Sequence, residues 1–71
     1  MEYSKEDLTE ARRQIDSTLH KLRETVGTLR AKENAARYKS QITLAERRIK
    51  AFEIANALIE RELDGETDLT N

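Results

Sequence analysis

The chain has 71 residues, 38% of them charged and 37% hydrophobic, with no cysteine, no proline and one histidine. Such a length allows one domain at most, and chains this short need disulfides, a metal, close helix packing or self-association to stay folded. Without cysteine there is no disulfide and no thiolate metal site, and a formal net charge of −1 gives no overall drive toward nucleic acid or anionic lipid. No run approaches the roughly 18 consecutive apolar residues of a membrane span, and the start lacks an apolar signal-peptide core. The expectation is a cytoplasmic protein that does not enter a membrane.

Tyr3-Ser4-Lys5-Glu6-Asp7-Leu8 reads as a helix start. Ser4 is placed to cap, Asp7 stands at the third helical position, and Tyr3 and Leu8 are spaced to close as a hydrophobic staple. Glu6, Asp7 and Glu10 suit the positive end of the helix dipole. Leu8, Ala11, Ile15, Leu19, Leu22, Val26 and Leu29 follow at spacings of three and four and form one apolar stripe. Arg13, Gln14, Lys21, Glu24 and Thr28 take the opposite face, where Gly27 also falls. The first helix is expected over about residues 5–32.

Residues 33–40 are expected to hold a turn, although no Pro or Gly marks it. Asn34 and Ser40 are residue types that stop and restart helices. The stripe also changes phase. Leu8, Ile15, Leu22 and Leu29 repeat every seven and would continue at Ala36 and Thr43, whereas the next stripe runs through Ile42 and Ile49. A single continuous coiled-coil helix, the competing arrangement, would send the two stripes to different faces.

Over about 41–64, Ile42, Ala45, Ile49, Phe52, Asn56, Ile59 and Leu63 line one face of a second helix. Gly65 is read as its stop and 65–71 as a frayed tail. Leu44, Ala51, Ala55 and Leu58 make a second apolar row, a quarter to a half turn from the first. One partner helix cannot cover both rows. The architecture read from this is all-α: an antiparallel two-helix hairpin that dimerises into a four-helix bundle through Leu44, Ala51, Ala55 and Leu58. Another helical protein on the second row is the other occupant considered.

Charge is unevenly spread. Residues 1–10 carry −3, 11–29 +2, 30–50 +5 and 51–71 −5. A hairpin therefore has a basic turn end and an acidic open end. Arg37, Lys39, Arg47, Arg48 and Lys50 form the basic patch, with Arg30 and Lys32 joining from the first helix. These residues are candidates for phosphate contacts. Tyr38 is the one aromatic among them, which is no stacking platform, and both helices are too long for a helix-turn-helix. Nucleic-acid association through this end is the alternative function, disfavoured by the net charge.

Asn56 in the apolar stripe is read in two ways: a buried amide that fixes register or oligomeric state, or an edge residue bonded to water or backbone. His20, with Asp16 four residues before it, lacks the convergent ligands of a metal site. Phosphate-binding Gly-rich loops and a nucleophile beside a base are absent, so no cofactor, no metal and no catalysis are expected.

Arg12-Arg13-Gln14-Ile15-Asp16 with Leu19 and Leu22 resembles the first helix of the all-helical chorismate mutases. The resemblance implies a carboxylate-binding Arg12, with Arg30, Lys39 and Glu53 as the nearest counterparts of further site residues. That family closes its pocket with a third helix. A second resemblance rests on Tyr3-Ser4-Lys5-Glu6-Asp7, Arg48-Ile49-Lys50-Ala51 and Leu58-Ile59, and is to a group of short bacterial two-helix proteins of unknown function. It implies a small free-standing helical protein. The leading functional expectation is a non-enzymatic, self-associating interaction or scaffold module.

Overall fold

The computed structural model describes residues 2–69, with the backbone alone for 66–69. Helix α1 spans Lys5–Arg30 and helix α2 spans Lys39–Leu69, joined by residues 31–34 and a 3-10 turn over Ala35–Tyr38. The described residues are helical or connecting, and the two helices pack antiparallel as a hairpin. None of the described helices is long and apolar enough to cross a membrane.

The start of α1 follows from its cap. Ser4 has extended backbone angles, and its side chain accepts a 3.0 Å hydrogen bond from the Asp7 N–H. One orphan donor of the first turn is satisfied in this way, an arrangement worth about 1 kcal/mol over alanine. Every residue of the α1 stripe is at least partly withdrawn from water, and so is every residue of the α2 stripe from Ile42 to Leu63. The 3.6-residue period thus determines which faces meet.

The connection differs from the expected turn. Asn34 precedes the 3-10 turn and accepts a 2.9 Å bond from the Arg37 N–H through its carbonyl, with no side-chain cap. Ser40 lies inside α2, which begins one residue earlier. The 3-10 turn has already set the chain into helical geometry, so no capping hydroxyl is needed there.

Gly65 does not stop α2. The helix runs through it to Leu69, and neither glycine of the chain has the positive φ that a glycine stop uses. Nothing after it forbids helix, since the chain has no proline. The tail expected to fray, 65–71, is helical in its backbone up to 69, and residues 70–71 lie outside those described.

Gly27 sits on the exposed face of α1, and a Cβ added there meets nothing within 4 Å. Gly27→Ala is expected to stabilise the hairpin by about 1 kcal/mol, through reduced backbone freedom in the unfolded chain. In a thermal melt this reads as a rise of roughly 4–8 °C for a domain of this size. A fall in melting temperature would mean that the Gly27 face is packed against something.

The core is thin. Among the described residues, Leu19 (4% exposed), Val26 (6%) and Ala45 (8%) are the buried hydrophobics, and no side chain is wholly enclosed. The hairpin measures 55 × 21 × 15 Å, with a radius of gyration of 16.1 Å. A compact domain of this length would have a radius of about 11 Å.

Candidate functional site

Of the four residues of the second row, Leu44, Ala51 and Leu58 fall on the side of α2 turned away from α1. Leu44 is 50% exposed and Leu58 56%, Ala51 is exposed, and Ala55 is half-buried at the margin of the hairpin core. Ile54, 51% exposed, extends this surface. It lies three residues from Ala51 and four from Leu58, and so shares their face. Ile54 stands nearly opposite the core stripe, outside both apolar rows, and an isolated apolar residue there resembles ordinary surface. Its neighbours in space give it meaning. Together these side chains form an apolar strip about Ala51, interrupted by Arg47 between Leu44 and Ala51.

One flank of the hairpin carries a ladder of polar contacts. Arg12 pairs with Glu60, Arg23 with Glu53 at 2.7 Å, and Arg30 with Glu46. Between the first two, Asn56 donates a 2.7 Å hydrogen bond from Nδ2 to Asp16 Oδ1. The glutamates recur every seven residues along α2, which keeps them on one flank. That spacing is present in the sequence, but the opposing arginines are identifiable only once the helix register is known. Each pair is about half exposed, so each contributes no more than a few tenths of a kcal/mol to stability.

Asn56 bonds to a side chain of α1 rather than to backbone. It is half-buried, its Nδ2 is used, and its Oδ1 is buried with no partner. His20 pairs with Glu24 at 2.7 Å, whereas Asp16 faces Asn56. No group of three or more potential metal ligands occurs among the described residues.

The cations of the expected basic patch are unneutralised. Arg37, Lys39, Arg47, Arg48 and Lys50 are all exposed, and none forms an ion pair among the described residues. Arg30 is held by Glu46, and Lys32 lies over the Tyr38 ring, 5.6 Å from its centre. Glu62 and Asp64 near the other end of α2 are likewise exposed, with no ion pair among the described residues.

Of the residues singled out by the chorismate-mutase resemblance, Arg12 and Glu53 line one shallow groove of about 250 Å³, together with Asp16, Arg23, Asn56 and Glu60. Arg30 and Lys39 do not line it. Arg12 and Arg30 are about 27 Å apart along α1 at 1.5 Å per residue. Both guanidinium groups of the groove already face carboxylates. An apolar groove of about 580 Å³ at the open end is lined by Tyr3, Asp7, Leu8, Ala11 and Ile59.

The class that fold and surface define is an all-helical antiparallel hairpin with exposed apolar side chains on the outer side of α2. Comparison with protein-family models, with curated proteins and with solved structures gives no match.

Proposed function

We propose that the chain is a non-enzymatic interaction module whose first partner is a second copy of itself, two hairpins joining through α2 as a four-helix bundle. The observation that carries this reading is the amount of surface left in water. The hairpin exposes 5922 Å². A folded monomer of 8.2 kDa is expected to expose about 4,500 Å². The excess exceeds the roughly 800 Å² per partner of a standard protein interface. The exposed leucines and Ile54 supply an apolar centre for such an interface, and Ala51 lets two helices approach closely.

Absolute mass by light scattering over a hundredfold range of concentration tests this. The expected result is a mass twice the 8.2 kDa of the chain, persisting on dilution. A folded monomer throughout would overturn self-association and leave the strip for a different helical protein.

A further inference from the structure

We infer that the two copies meet antiparallel, with α2 of one hairpin running against α2 of the other across a two-fold axis at Ala51. This rests on the dimer proposed above and adds its orientation.

The apolar strip alone does not choose an orientation. Leu44 and Leu58 each stand seven residues from Ala51. A parallel pair sets like on like, and an antiparallel pair sets Leu44 against Leu58 of the second copy. Both bury the same side chains, and both place Ala51 against Ala51.

Charge does choose. Residues 30–50 carry +5 and residues 51–71 carry −5. Among the described residues, the cations of the patch, Arg37, Lys39, Arg47, Arg48 and Lys50, have no carboxylate of their own chain, and Glu62 and Asp64 beyond the strip have no cation. Arg12, Arg23 and Arg30, by contrast, pair with carboxylates across the two helices. Of the remaining charges, Arg61 is a lone cation among the acidic residues and Glu33 a lone carboxylate among the basic ones, so the excess of each sign, rather than every charge, is divided about Ala51. A parallel dimer brings the basic half against the basic half within a Debye length of about 8–10 Å, which is repulsive. The antiparallel dimer places each basic half beside the acidic half of the other copy. Like charges set against each other are a strong means of excluding a wrong partner geometry.

The chain has no cysteine, so Gln41→Cys offers a single site for a spin label. Gln41 is exposed and ten residues from Ala51. Pulsed dipolar spectroscopy on the labelled dimer is expected to give about 30 Å between labels, from about twenty residues of helix rise. A separation below about 20 Å at dimer mass would overturn the antiparallel arrangement and leave dimerisation standing. Monomer mass with no dipolar signal would remove the dimer itself. Salt supplies a second readout on the unlabelled protein. The antiparallel dimer should dissociate more readily as salt is raised from about 50 mM to about 1 M, and a dimer that tightens with salt would contradict it.

Discussion

Leu58→Asp is expected to yield monomers, at concentrations where the unaltered chain is dimeric. Leu58 is 56% exposed in the single hairpin. A carboxylate there costs the isolated hairpin almost nothing, within about 0.5 kcal/mol for a surface change. In the proposed dimer the same position lies in the apolar strip, where an unpaired charge costs several kcal/mol. At about 1.4 kcal/mol per tenfold, the dissociation constant should rise by roughly a hundredfold or more. Light scattering and sedimentation read this directly. A Leu58→Asp variant with unchanged dimer mass and melting temperature would mean that association uses another surface.

Leu19→Ala should have the largest effect within the hairpin. Leu19 is 4% exposed and, with Val26 and Ala45, makes up the buried hydrophobic core of the described residues. Truncating a buried leucine costs about 2–5 kcal/mol. A chain of this length has a total stability of only about 4–10 kcal/mol. The variant should lose about ten degrees or more in a melt followed by far-ultraviolet circular dichroism. Thr18→Ala is the matching control. Thr18 is exposed, and its hydroxyl donates to the Gln14 carbonyl at 3.1 Å. Equal shifts for the two variants would mean that Leu19 does not face α2.

The sequence is most informative where a single period decides the outcome. Both core stripes are visible as residues at spacings of three and four, and the same residues are withdrawn from water. The phase shift between Leu29 and Ile42 points to a hairpin, because one straight helix cannot present both stripes to the same side. Chain ends and punctuation are less legible. Gly65 looks like a stop, yet a glycine with negative φ is only a weak helix residue, and α2 passes through it. Ser40 looks like a restart, but the 3-10 turn over Ala35–Tyr38 has already begun the second helix.

The candidate surface is legible in part. Leu44, Ala51 and Leu58 follow from their spacing and are exposed. Ile54 belongs beside them but is inconspicuous in the sequence, since no row of three and four passes through it in the core phase. The arginine–glutamate ladder is hidden for another reason. Every member looks like an ordinary surface charge until the two helices are laid side by side, and Glu46 has both Lys50 on its own helix and Arg30 on the other within reach. The structure gives it to Arg30.

The apolar stripe of α2 and the glutamates at 46, 53 and 60 repeat with the same stride, as do Arg23 and Arg30. A slide of one heptad between the helices would set Glu53 beside Arg30 and Glu60 beside Arg23, and would keep the apolar residues in contact. Repeating features of this kind recognise a neighbour without counting. The contact of Asn56 with Asp16 occurs once, and its enclosed, unpartnered Oδ1 suits no apolar counterpart. The four-residue connection from Ala31 to Asn34 also occurs once. These two non-repeating details are the index mark on an otherwise uniform scale, present in one alignment of the helices and absent from its heptad-shifted copies.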